Sequence, residues 1–141
     1  MEKYIGLDLG TVTLGIATSD SLGFVHGLET FRFPKEAYSQ ARKRVHEIVA
    51  STGIKNIVIG LPINMDGSEG FRAQSSRKFA QDLSNEDANL KIYLQDERLT
   101  SVSAHKTLSD LNVSHKQRKD SVDRLAACEI LDFYIRVNGG K

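Results

Sequence analysis

Four carboxylates stand out by where they fall in the sequence. Asp8 interrupts the apolar stretch "YIGLDLG", Asp96 and Glu97 close "LKIYLQDE", and Asp123 opens "DRLAACEIL". A charge amid apolar residues is costly unless something compensates it. Carboxylate oxygens are hard ligands suited to Mg²⁺ or Mn²⁺. Acids gathered around such ions can hold a phosphodiester, activate water and stabilise the leaving oxygen, which is the chemistry of a nuclease. Three of the four acids also have plainer roles. Asp96 and Glu97 can pair with Arg98 and cap a following helix, and Asp123 can serve as a first-turn acid favoured by the helix dipole. Asp8 has no such local account, and an acid in a central apolar strand is a candidate functional group.

Other chemistries fit less well. His26, His46, His105 and His115 show no paired spacing and Cys128 stands alone, so no zinc site is expected. The "DLGT" at Asp8–Thr11 lets backbone approach an anion, but neither GKT, GKS nor GxGxxG follows it. Turn and packing geometry is the plain reading of Gly6, Gly10 and Gly15.

The elements that must carry these acids can be read from periodicity. "KYIGLDL", "TLGIATSD" and "GFVHGLETFRF" read as three strands of an antiparallel meander, with Gly10 at the first turn. After Pro34, Ala37, Ala41, Val45, Ile48 and Val49 recur at helical spacing, and Gly53 supplies the stop. "KNIVIGLP" is a continuous apolar run of the kind expected for a fully buried parallel strand. A loop on Asp66-Gly67, a helix from Phe71 to Leu83 and a strand "LKIYLQ" follow. Thr100 reads as the N-cap of a helix carrying Ala104, Leu108 and Leu111, and Asp120 or Ser121 as the cap of a last helix running to about Val137. This order predicts an α/β fold, a mixed sheet with an antiparallel edge and a parallel half, covered by helices on both faces. Asp8, Asp96 or Glu97, and Asp123 then lie at strand ends and a helix start, where sheet proteins bind ligands.

Composition sets the frame. The 141 residues are expected to form one domain, 1–141, and 40% apolar with 26% charged residues describes an ordinary soluble globular chain. One cysteine, no leader pattern and no bilayer-length apolar run predict a cytoplasmic protein with no membrane partner. A formal charge of +1 gives no general attraction for nucleic acid, although "ARKRVH" at 41–46 and "HKQRK" at 115–119 are local basic clusters. Solvated helix faces or loops are the simpler reading of both.

Four motifs in order, "IGLDLGTVTLGIATSD", "IVIGLPINMDGSEGFRA", "DERLTSVSA" and "DSVDRLAACEIL", resemble the bacterial YqgF family, also called RuvX, nucleases related to the RuvC Holliday-junction resolvases. The likeness runs over nearly the whole chain. It implies an RNase H-like fold with a five-stranded sheet whose first three strands are antiparallel. It also implies Asp8, Glu97 and Asp123 as the catalytic and metal-binding acids, Mg²⁺ or Mn²⁺ as cofactor, and Asn64, Arg72 and Arg98 as substrate contacts. The implied substrate is nucleic acid, with the 5′ end of precursor 16S ribosomal RNA favoured and a four-way DNA junction the alternative. Junction cutting would require two sites and hence a symmetric homodimer. Two departures stand out. Val12 and Thr13 fall where many relatives carry a basic residue, and "IVIGLP" lacks the fourth-strand acid expected of RuvC, so Glu97 must reach in from the neighbouring strand. "DLGT" followed by Gly15 also resembles the first phosphate motif of sugar kinases and actin-like ATPases, which need two such lobes. A non-catalytic nucleic-acid binding module is a further alternative.

Overall fold

The computed structural model describes residues 1–97 and 115–138, with only the backbone described for 115–121. The element order is β1 (Tyr4–Leu9), β2 (Thr13–Ser19), β3 (Val25–Arg32), α1 (Tyr38–Thr52), β4 (Asn56–Leu61), α2 (Phe71–Glu86), β5 (Lys91–Asp96) and α3 (His115–Asn138). The helix expected after Thr100, with Ala104, Leu108 and Leu111, lies outside the described residues.

Five strands form one sheet in the order β3-β2-β1-β4-β5. β1 to β3 pair antiparallel, while β4 and β5 run parallel to β1. Strand alternation divides the interior into two cores. Ile5, Leu7, Leu9, Leu14, Ile16, Ile57 and Ile59 point to the face covered by α1 and α2, where they meet Ala41, Val45, Ile48, Phe79 and Leu83. Ala17 and Val58 point to the other face, against Ala127, Ile130, Leu131 and Ile135 of α3. β4 is buried at every residue, as its unbroken apolar run requires for a strand covered on both faces. Each fully buried Leu or Ile contributes about 1.5–3 kcal/mol by leaving water.

Two expectations are revised. The last helix is already formed at His115, so neither Asp120 nor Ser121 caps it, and Asp123 sits more than two turns inside rather than in the first turn. The helix-dipole account of Asp123 therefore does not apply, because that effect fades within one turn. The basic cluster at 41–46 lies on a helix face, as its simpler reading expected, with its charges paired at the surface: Arg42 with Asp82 and Glu86, Arg44 with Glu29 and Glu47, and His46 with Glu86. These tie α1 to α2 and to β3. Of "HKQRK" only the backbone is described, as the opening turns of α3.

Candidate active site

β1 is the central strand, and Asp8 lies near its carboxyl end opposite Gly15 of β2. Leu7 and Leu9 point into the α1–α2 core, so alternation turns Asp8 to the face covered by α3. Its side chain keeps 15% of its exposure. Burial pushes the Asp8 carboxyl up to about 6; Arg72 opposes that rise and the charge of Asp123 adds to it.

Glu97 follows β5 directly, its amide donating to the Leu61 carbonyl at 3.2 Å and so continuing the ladder with β4 past the end of β5. Alternation decides between the two adjacent acids. Tyr93 packs on the α3 side and Ile92 on the other, which places Glu97 with Asp8 and turns Asp96 to the opposite face. Glu97 is buried, with 8% exposure. Its carboxyl is pushed up to about 7, by burial first and then by the charge of Asp8, with Arg72 pulling it down and Asp96 adding to the rise.

Asp123 comes from α3. The helix lies so close to β2 there that a Cβ on Gly15 would run into the Asp123 carbonyl. Three chain segments, β1, the end of β5 and α3, thus bring one acid each to the same end of the sheet. Asp8 feels the charge of Asp123, and Glu97 that of Asp8. They do not form a finished cage: among the described residues, no three His, Cys, Asp or Glu side chains are arranged to hold a metal ion as they stand. In chemistry the set fits a hard divalent cation, since every donor is a carboxylate oxygen.

Arg72 approaches from the other face. Placed in the first turn of α2, it reaches around the end of β1, donates from Nη2 to the Leu9 carbonyl at 2.8 Å and stands 4.0 Å from Asp8 Oδ1. Half of the side chain is exposed, which leaves donors of its fork facing solvent. Asn64 braces its own loop: its amide nitrogen Nδ2 donates to Ser68 Oγ at 3.0 Å, and its backbone N–H to the Ser68 carbonyl at 2.9 Å. The loop is set by Asp66 Oδ1, which accepts from the Ser68 amide and hydroxyl. Arg98 lies outside the described residues.

One position in contact with the acids is missed when residue types alone are searched for chemistry. A Cβ on Gly60 of β4 would overlap the Glu97 carboxylate, so a residue that reads as strand filler is where Glu97 passes over the sheet. A glycine in an otherwise branched apolar run is the available signal, since such glycines mark close approach.

The family model described as "RuvX: Holliday junction resolvase" matches residues 2–137. The chain belongs to the RuvX family. Its similarity to other proteins extends over whole lengths. A protein of Geobacillus sp. (strain WCH70) named "Putative pre-16S rRNA nuclease" is 42% identical over 134 residues, 94% of this chain and 96% of that one. A protein of the same name from Leuconostoc citreum (strain KM20) is 40% identical over 139 residues, 97% and 96% of the two chains. Among solved structures, T. thermophilus RuvC in complex with Holliday junction substrate superposes with a TM-score of 0.61 at 16% identity, covering 99% of this chain and 98% of that one. The Fowlpox virus resolvase in complex with Holliday junction DNA gives 0.54 at 10% identity over 96% and 99%. At such identities the likeness is one of fold. This RuvX chain has the RNase H-like architecture of the RuvC resolvases, as the motifs implied.

Proposed function

We propose that this chain is a divalent-cation-dependent nuclease in which Asp8, Glu97 and Asp123 hold Mg²⁺ or Mn²⁺, and that it hydrolyses phosphodiester bonds in the 5′ processing of precursor 16S ribosomal RNA in the cytoplasm. The observation that carries this is the meeting of three acids from three segments on one face, at the carboxyl ends of parallel strands, with two of them driven towards neutrality by burial and mutual charge. The RNA substrate is supported by the names of relatives about 40% identical over nearly their whole length.

The bound cation would supply charge for the scissile phosphate and acidify a water for attack. The chain's own residues prepare that event. Asp8 and Glu97, with carboxyls near 6 and 7, must give up protons to hold a cation, so binding releases protons and strengthens as pH rises. Arg72 favours the ionised state of both acids. Its solvent-facing donors suit a phosphate oxygen beside Asp8. Glu97, bonded through its backbone to β4, is held at the sheet end rather than on a swinging loop.

A four-way DNA junction is the second reading, favoured by a fold shared with RuvC over almost the full length of both chains. It would need a homodimer to present two sites. Matched substrates decide. A precursor 16S 5′-leader RNA and a mobile DNA junction are incubated with wild type and Asp8→Asn protein in Mg²⁺, Mn²⁺ or EDTA. Cation-dependent cutting of the RNA alone, lost in the variant, is expected. Cutting of the junction alone would install the resolvase reading, and binding of either without cutting would leave a non-catalytic module.

A further inference from the structure

Asp8 has glycine on both sides of it in the sheet. Gly15 is its register partner on β2, and Gly60 follows Ile59, the partner of Leu7, one step further along β4. A glycine inside a strand packs nothing and loses more chain entropy on folding than any other residue. Two flanking one buried acid therefore demand a use for the room they leave. The room is taken. A Cβ at Gly60 would overlap the Glu97 carboxylate and the Cδ1 of Ile130, and one at Gly15 would overlap the backbone of Asp123.

We infer that Gly15 and Gly60 are the positioning residues of the acid site: Gly60 keeps clear on β4 the place that the Glu97 carboxylate occupies, and Gly15 sets the depth at which α3 delivers Asp123. The inference rests on Asp8, Glu97 and Asp123 being the working acids. It explains how the site does without an acid on β4. β4 separates β5 from β1, so a carboxylate from the end of β5 can approach Asp8 only by crossing β4, and Gly60 is where it crosses. Gly6 supplies the contrast within the same face. There a Cβ would meet Leu131 Cβ at 2.7 Å and the Ala127 carbonyl at 3.0 Å, which is helix packing with no acid involved.

Gly60→Ala, Gly60→Ala/Ile130→Val and Gly6→Ala are compared with wild type for melting temperature, for the rise in melting temperature caused by Mn²⁺, and for kcat and KM on the leader RNA. Ile130→Val removes the methyl that the new Cβ would strike, so the double variant should regain most of the melting temperature that Gly60→Ala loses. Its Mn²⁺ response should stay weakened, with kcat down roughly 100-fold and KM nearly unchanged, as expected for a catalytic group displaced by about 1 Å. Gly6→Ala should melt lower and still respond to Mn²⁺. A double variant with wild-type Mn²⁺ response and kcat overturns the inference.

Wild type that cuts no RNA would defeat the RNA-processing reading alone. Positioning is then decided by the thermal cost of Gly60→Ala in wild type and in a Glu97→Ala background. A smaller cost without the carboxylate supports it, and an equal cost overturns it. The same comparison serves if Gly60→Ala fails to fold: rescue by Glu97→Ala supports the inference, and failure in both backgrounds overturns it.

Discussion

Replacing Asp8 by asparagine is expected to abolish cleavage and, in EDTA at pH 7.5, to make the protein more stable. The Asp8 carboxyl titrates at about 6 in the folded chain against a usual value of 3.8. Between those values the folded state holds a proton that the unfolded state has lost. Stability therefore falls as pH rises through this window and levels off above it. A tenfold change in acidity between folded and unfolded chain is worth about 1.36 kcal/mol, so by pH 7.5 the ionised carboxylate has cost the fold about 3 kcal/mol. Asparagine has nearly the same shape and no charge. It escapes that cost, surrenders the attraction of Arg72 already included in it, and must satisfy an amide group of its own. A net gain of about 1–3 kcal/mol, or roughly 3–10 °C in melting temperature for a chain of this size, is expected. Most of the difference should develop between pH 4.5 and 6.5. Thermal melts of both proteins at pH 4.5, 5.5, 6.5 and 7.5 in EDTA, repeated with Mn²⁺ and paired with RNA cleavage, test each part. Mn²⁺ should raise wild type towards or past the variant. A variant that melts below wild type at pH 7.5, or a gap that does not change with pH, would refute the picture of a buried acid held at an energetic cost for use.

The two neighbouring acids should separate cleanly. Glu97→Gln is expected to lose at least about 100-fold in kcat, whereas Asp96→Asn, on the opposite face, should stay within a few-fold in the same assay. Arg72→Ala should raise KM for RNA by roughly tenfold, about 1.4 kcal/mol of lost phosphate contact, and flatten the salt dependence of binding in a titration. Mn²⁺ should stabilise wild type more at pH 7.5 than at pH 5.5, because Asp8 and Glu97 must shed protons to receive it; equal shifts in melting temperature at the two pH values would contradict their role as ligands.

Much of this arrangement could be read from the order of residues. The alternation in "YIGLDL" and the unbroken run in "IVIGL" depend on local burial alone, and both strands stand as their patterns require. Asp8 was conspicuous because an acid in a central strand violates the same pattern. What escaped depended on neighbours distant in sequence. Glu97 could be preferred to Asp96 only through the family resemblance, because the choice turns on which side of β5 faces α3. Gly60 stood out only as a glycine in an apolar strand, and what approaches it could not be read locally, since the Glu97 carboxylate is 37 residues away. The start of α3 was misplaced because Asp120 and Ser121 looked like cap residues and Asp123 like a first-turn acid, yet the helix runs through all three, its hold on the sheet outweighing local preference.

The docking of α3 has a consequence for the order in which the protein matures. β1, with Asp8, is synthesised before α3, and its face towards Ala127, Ile130 and Leu131 waits for that helix to pack against it. Domains fold as units during synthesis, and pairings between distant segments come late because loop closure must precede them. Until α3 docks, Asp123 does not stand beside Asp8 and the acid set is incomplete. On the proposed reading, a chain in which α3 has not yet docked lacks one of its three acids, and competence for cleavage arrives with the packing of that helix on the sheet.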